Sequence, residues 1–299
     1  MRLLYLGLPL GALCFLRAGY TLTAACISRP DAPGMRRLRR ALRDGTLLDR
    51  PDLGDPTLRA TLALARPDLI VSWFWTKRVP LALLRVAPRG GVNVHPSLLP
   101  RHRGPDPYFW TLRRRDAQTG VTVHRLAAQY DTGPIMLQRS IPVPPGVDSW
   151  RLAKSLDLPS LTALREVVDR IRRGEDVRAV PQDESLATQA PAPTDDDCEL
   201  RWSEPAEDAL ALIRAASPEP GAFTASGDAT VVILDAEVTD VPTRSLRPGE
   251  AVLTARGVVV TCGDGRALRL LRARDEMHDE VLRGRAVGRL FPGIAEVSA

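Results

Sequence analysis

An α/β fold with a smaller all-β domain after it is what this 299-residue chain predicts, on three observations. Short apolar runs alternate with helical stretches through the first half, a polar and proline-rich segment lies near residue 190, and brief β-like runs divided by glycine turns fill the last third. The first rhythm is that of βαβ units, which build a Rossmann-like, mostly parallel sheet with helices on both faces. The last rhythm predicts a small β-barrel of OB-like type.

The elements follow in order. Residues 2–6 read as a buried strand, 10–18 as a helix, 22–27 as a second strand and 36–43 as a basic helical segment. Residues 58–65 are helical, 68–73 form a strand entered from Pro67, and 91–95 make another short strand. Ligand sites in such sheets gather at the carboxyl ends of strands, which is where Trp73 and His95 fall. Residues 119–126 and 135–143 alternate well enough for two more strands. A long helix is predicted over 150–173, stopped by Gly174, with Leu152 and Leu156 on one face and Leu164, Val167, Val168 and Ile171 continuing it. Pro159 in its middle is expected to kink or split it. Residues 181–197, with Asp195-Asp196-Asp197 and Gln189-Ala190-Pro191-Ala192-Pro193, are a linker by composition. After them come a helix at 204–215 and β-like runs at 230–234, 250–253, 257–261 and 267–271. The division expected is therefore a first domain over 1–180, a linker over 181–200 and a barrel over 201–299.

Hydrophobic content of 44% and charged content of 26% exclude a disordered chain and a membrane protein. The amino-terminal apolar run imitates a signal sequence, but Gly7, Gly11 and Arg17 interrupt it well short of a span. It reads as strand, turn and helix, and a cytoplasmic location without membrane contact is expected. Cys14, Cys26, Cys198 and Cys262 lie far apart with no Cys-x-x-Cys pair, which argues against a zinc site or a disulfide framework. The four histidines, His95, His102, His124 and His278, are scattered, and no metal is expected. The formal charge is +5, and with lysine only at 77 and 154, 39 of the 41 basic residues are arginine. Such usage reads first as G+C-rich coding, although a basic surface permits RNA, a nucleotide or a polyglutamylated folate as partner.

The stretch that carries chemistry runs from Gly91 to Gly104. Asn93 and His95 are two apart in a strand, so both side chains leave on one face. An amide there can bind an oxyanion, and an imidazole can move a proton near neutral pH. A capping asparagine and a satisfied core histidine are the plain alternative. Against it stands the loop that follows, made rigid by Pro96, Pro100, Pro105 and Pro107 with Gly104. Downstream, Asp131-Thr132-Gly133 forms a turn whose aspartate can orient the histidine. Asp-Thr-Gly also occurs in aspartic proteases, but those need a second active-site aspartate and an all-β fold, and neither is offered here.

The run Asn93-Val94-His95-Pro96-Ser97-Leu98-Leu99-Pro100-Arg101-His102-Arg103-Gly104, with Thr119-Gly120-Val121-Thr122 and Asp131-Thr132-Gly133-Pro134-Ile135, resembles the 10-formyltetrahydrofolate-dependent formyltransferase family. The 36 residues from His95 to Asp131 (131 − 95) match that family's spacing. The resemblance implies formyl transfer from 10-formyltetrahydrofolate to a primary amine, with Asn93, His95 and Asp131 as the catalytic group. In that reading Asn93 and a protonated His95 donate to the oxyanion, and Asp131 holds His95 and helps accept the amine proton. It also implies folate contacts at Arg78, Val79, Pro80, Ser97, Leu98, Leu99 and Pro100. The neighbouring Trp73, Phe74 and Trp75 suit a core more readily than a ligand cage.

Arg201-Trp202-Ser203, Ile213-Arg214-Ala215, Pro220-Gly221-Ala222-Phe223-Thr224 and Cys262-Gly263-Asp264-Gly265 are similar to the carboxyl-terminal domain of the methionyl-tRNA formyltransferases. That likeness implies an amine carried by initiator tRNA, and a monomer. Some residues depart from it. The basic loop expected after Arg29-Pro30-Asp31 is shortened, Glu219 replaces a usual tryptophan, and Gln189 and Ala192 replace a tyrosine and a lysine. These favour the alternative, a small amine such as an amino sugar nucleotide or a biosynthetic intermediate. A binding module that keeps the fold without catalysis is disfavoured by the intact Asn93, His95 and Asp131.

Overall fold

The computed structural model describes residues 1–42, 45–227, 229–240, 246–275 and 280–297. They form two compact units. The first comprises residues 1–105, 118–142 and 155–191; the second comprises 106–117, 143–154 and 192–299.

The first unit is built on a seven-stranded sheet. Its strands are β1 (Arg2–Gly7), β2 (Thr21–Ile27), β3 (Thr46–Asp49), β4 (Leu69–Trp73), β5 (Gly91–His95), β6 (Gln118–Arg125) and β7 (Ile135–Pro142). Their order is β3-β2-β1-β4-β5-β6-β7, parallel from β3 to β5, with β6 and β7 added antiparallel. The expected mostly parallel, Rossmann-like sheet is present. Its central strands are buried on both faces, and Leu3, Leu4, Leu6, Leu69, Ile70 and Val71 are fully enclosed. That explains why they read as unbroken apolar runs.

Helices α1 (Pro9–Arg17), α2 (Met35–Ala41), α3 (Pro56–Leu64) and α4 (Leu81–Leu84) connect the parallel strands. Pro9 and Pro56 stand in the first turns of α1 and α3, where a missing N–H costs nothing, and Asp55 caps α3 by accepting from the Thr57 N–H. The basic segment expected over 36–43 is helical as far as Ala41, with Met35 and Leu38 buried beneath exposed arginines; Arg43 lies outside the described residues. Trp73 is core, 4% exposed, and its indole N–H donates to the Ser160 hydroxyl at 2.9 Å. Trp75 is partly buried and packs against the cluster that holds Leu6, Val79 and Leu83.

The long helix is one piece, α6 (Ser149–Arg172), with Pro159 inside it and no break. An interior proline costs about 3 kcal/mol. Leu152, Leu156, Leu164, Val167 and Val168 are all buried, at roughly 1.5–3 kcal/mol each. Apolar burial on both sides of the proline outweighs it.

The second unit holds α5 (Pro107–Arg113), α7 (Asp195–Cys198), α8 (Ala206–Ala216) and a second sheet. Its strands are β8 (Ala222–Ser226), β9 (Ala229–Thr239), β10 (Ala251–Thr254), β11 (Gly257–Thr261), β12 (Ala267–Asp275), β13 (Val281–Arg283) and β14 (Ala295–Glu296). They run in the order β14-β10-β11-β12-β9-β8, with β13 paired to β12. Phe109, Leu112, Leu210, Ile213, Ile233 and Leu268 share one core there. This is the expected sheet domain; among the described residues the path is open, with no pairing of β8 to β14. Among the described residues, too, no helix is long and apolar enough to cross a membrane.

Candidate active site

Strand geometry assembles the site. Asn93 and His95 leave β5 on one face, and the antiparallel register sets His124 of β6 opposite Asn93 and Thr122 opposite His95. The turn after β6 then returns Asp131 to the same place. The Asn93 amide lies 3.1 Å from His124 Nε2, and His124 Nδ1 donates to the Arg125 carbonyl at 2.9 Å. With Nδ1 carrying the proton, His124 Nε2 accepts from the Asn93 amide. One Asn93 N–H is thus committed, and among the described residues no partner takes the other, at this half-buried position.

Asp131 sits between two imidazoles. Its Oδ2 is 3.5 Å from His95 Nδ1 and its Oδ1 is 3.5 Å from His124 Nε2. The Gly104 N–H donates to Oδ2 at 3.1 Å. The aspartate has φ +56°, a left-handed conformation that aspartate tolerates better than most side chains. Burial alone would push its carboxyl up, but the positive charge of the neighbouring imidazoles when protonated, His95 first, and the Gly104 N–H favour the ionised form and hold it at about 2.

His95 is enclosed, 5% exposed, and its Nε2 lies 2.7 Å from the His102 carbonyl. A carbonyl only accepts, so Nε2 bears the proton. Burial lowers the imidazole below its ordinary 6.5, against the opposing pull of Asp131 and the His102 carbonyl. The resting ring is therefore neutral at pH 7, with its Nδ1 lone pair aimed at an ionised carboxylate. The pair lacks one proton, and a proton arriving at Nδ1 is held by both groups. Once protonated, His95 spends both N–H groups, on the His102 carbonyl and on Asp131, and has none left to donate to an oxyanion.

These shifts fix the acid sensitivity of the fold. A buried histidine with a depressed pKa stabilises above 6.5 and loses that contribution as pH falls, since the unfolded chain binds the proton first. Asp131 contributes above 3.8 and is lost as pH falls toward 2. The denaturation midpoint should decline as pH drops below 6.5, and His95→Asn should remove that part of the decline. A midpoint that rises on acidification through this window would contradict the assignment.

The remaining predicted residues fall around this group. Ser97 is fully buried and donates to the Arg101 carbonyl at 2.7 Å, so its hydroxyl shapes the loop. Leu99 is buried, with its N–H on the Thr122 hydroxyl and its carbonyl on Gln138. Leu98 and Pro100 are half-buried. Leu98 lies over Gly120, where an added Cβ would meet its Cδ2 at 2.6 Å. Arg78 donates from Nε to the Ala128 carbonyl at 2.8 Å, Val79 is core, and Pro80 leads into α4.

Sequence reasoning missed His124 and Gln182. The scattered histidines are gathered: His95, His102 and His124 all contribute to the site, while His278 lies outside the described residues. The antiparallel pairing of 119–126 with 91–95 would have brought His124 opposite Asn93. Among the described residues, no three histidine, cysteine or acidic side chains are grouped as metal ligands would be.

Residues 28–168 match the model of the formyl transferase family, and residues 193–282 match that of the formyl transferase carboxyl-terminal domain. A methionyl-tRNA formyltransferase of Anaeromyxobacter dehalogenans (strain 2CP-C) is 35% identical over 293 residues, covering 92% of this chain and 93% of that protein. The chain belongs to the formyl transferase family. Another relative, the methionyl-tRNA formyltransferase of Roseiflexus sp. (strain RS-1), is 34% identical over 89% of this chain and 85% of its own. Two solved structures share the fold. HypX from Aquifex aeolicus, in complex with tetrahydrofolic acid, has a TM-score of 0.67 at 19% identity, over 100% of this chain and 49% of that one. An N-formyltransferase from Helicobacter canadensis, in complex with folinic acid and dTDP-3-aminofucose, has a TM-score of 0.69 at 14% identity, over 90% and 98%.

Proposed function

We propose that this formyl transferase moves the formyl group of 10-formyltetrahydrofolate to the amino group of methionyl-tRNA, in the cytoplasm and as a monomer. The observation that carries the chemistry is the Asp131–His95 pair, one proton short, beside an asparagine with a spare N–H. A neutral amine attacks the formyl carbon, and the carbonyl oxygen becomes an oxyanion. Asn93 donates to that oxygen, a contact worth about 3 kcal/mol, or at least a hundredfold in rate. The proton released by the new C–N bond passes to His95 Nδ1 and Asp131 Oδ2. Collapse of the tetrahedral carbon expels the folate nitrogen, which takes a proton back. Every step uses the chain's own groups, so activity should survive exhaustive chelation; a loss restored by one particular divalent ion would contradict this.

Leu98 and Pro100, half-buried beside the catalytic strand, and the 78–80 segment are the folate contacts in this reading, with Ser97 and Leu99 holding the loop. Residues 1–180 are the catalytic domain and 181–200 the connection. Residues 201–299 form an OB-like domain for the acceptor. The tRNA acceptor is supported by the relatives named above, which match over nearly the whole chain. Arg36, Arg37 and Arg40 are exposed on α2 and suit phosphate contact, whereas Arg39 is spent on Asp49 at 3.0 Å.

The small-amine reading rests on Glu219, which pairs with Arg274 at 3.2 Å where a tryptophan would lie in the tRNA enzymes. Incubation with labelled 10-formyltetrahydrofolate and either methionyl initiator tRNA or an amino sugar nucleotide separates the two. Formyl-methionyl-tRNA is expected, and transfer to the sugar nucleotide alone would overturn the tRNA assignment.

A further inference from the structure

The segment from Gln182 to Ala190, a linker by composition, is bonded to the loop after His95 at Gln182, Glu184, Thr188 and Ala190. Thr188 donates from its backbone to the Pro100 carbonyl at 3.2 Å, and its hydroxyl accepts from the His102 N–H at 2.9 Å. The Arg103 N–H donates to the Thr188 carbonyl at 2.9 Å, and the Ala190 N–H to the Arg103 carbonyl at 2.7 Å. Those contacts flank the His102 carbonyl that holds His95 and the Gly104 N–H that holds Asp131. At Gly104, an added Cβ would meet the Ala190 carbonyl oxygen at 2.6 Å, so the strap and the loop are in close backbone contact.

Gln182 ties this strap to the catalytic turn. Its Nε2 donates to the carbonyls of Asp131 at 2.7 Å and Gly133 at 2.8 Å. Its Oε1 accepts from Arg103 Nε at 3.0 Å and an Arg103 terminal nitrogen at 2.7 Å. Arg103, itself 5% exposed, is held in turn by both Glu184 oxygens at 2.8 Å. Both hydrogens of the Gln182 amide are used, and its oxygen is used twice, which fixes its orientation. We propose that Gln182 is a positioning residue for catalysis, holding the Asp131 turn against the Arg103–Gly104 loop so that the carboxylate faces His95. The inference rests on the reading of Asp131 and His95 as the proton-accepting pair.

Two substitutions in the full chain test it. Gln182→Ala removes every bond. Gln182→Glu keeps the volume and the Arg103 contacts but takes the donors away from the two carbonyls. Both are assayed with labelled 10-formyltetrahydrofolate and whichever of methionyl initiator tRNA or amino sugar nucleotide the wild type formylates. Each should lower kcat by about 10–100-fold, the usual size for a partner that orients a reacting group. KM for the folate should stay within about twofold, and the acid limb of kcat should move, a readout that a merely structural role leaves in place. Unchanged kcat per folded molecule in Gln182→Glu, or a lowered midpoint with the pH profile intact, would overturn the proposal. Asp131→Asn is run alongside. Wild-type turnover there would sink the reading of Asp131 and this inference with it, whereas an inactive Asp131→Asn beside fully active Gln182 variants would refute the positioning role alone.

Discussion

Replacing Asp131 with asparagine should lower kcat by about two to three orders of magnitude while leaving the fold intact. The size is that of general acid–base catalysis by a placed side chain. Asparagine keeps the shape, and its oxygen can still accept from the Gly104 N–H. That oxygen is also the atom facing His95 Nδ1, so the amide turns to the His124 side and no negative charge remains to hold a proton arriving at His95. His95→Ala should have a comparable effect by removing the acceptor itself. The checks are single-turnover formyl transfer and a thermal midpoint. A variant within about threefold of wild type would mean that the proton leaves by another route. The backbone carbonyl of Asp131 keeps its bond to Gln182 in the asparagine variant, so loss of rate there is loss of the carboxylate.

Gly133→Ala should damage both stability and turnover. A Cβ at this residue would lie 1.7 Å from the Arg125 carbonyl oxygen, a backbone atom that cannot step aside. The Arg125 N–H also donates to the Pro134 carbonyl at 2.9 Å, so the turn and the end of β6 are tied together. The turn must open, at about 1–3 kcal/mol for overpacking of this kind. Asp131 rides on the same turn two residues earlier. A displacement of about 1 Å at a reacting group costs on the order of a hundredfold in rate. Retention of both midpoint and kcat would show that the turn adapts without moving the carboxylate.

The sequence carried the architecture well where each element's pattern was local. Strands β1, β2, β4 and β5 are buried on two faces and so read as apolar runs, and the spacing of Leu152 through Ile171 marked α6. Elements without a local signature escaped. Strand β3 is four residues, Thr46–Asp49, at the sheet edge. Helix α5 hid among prolines that read as loop, yet Pro107 sits in its first turn and Asp106 caps it by accepting from Phe109. The convergence of Asn93, His95 and Asp131 was legible because the strand period and a motif both pointed to it. His124 and Gln182 were not, because their contacts span 31 and 51 residues and arise from strand pairing and from a strap with a linker's composition.

The most direct test of the account is formyl transfer by the purified protein from labelled 10-formyltetrahydrofolate to methionyl initiator tRNA, followed as tetrahydrofolate release and labelled product together. The wild type should yield the two in equal amounts, with Asn93→Ala, His95→Ala and Asp131→Asn each slower by a hundredfold or more. Stoichiometric transfer that persists at near wild-type rate in all three variants would contradict the assignment of this site.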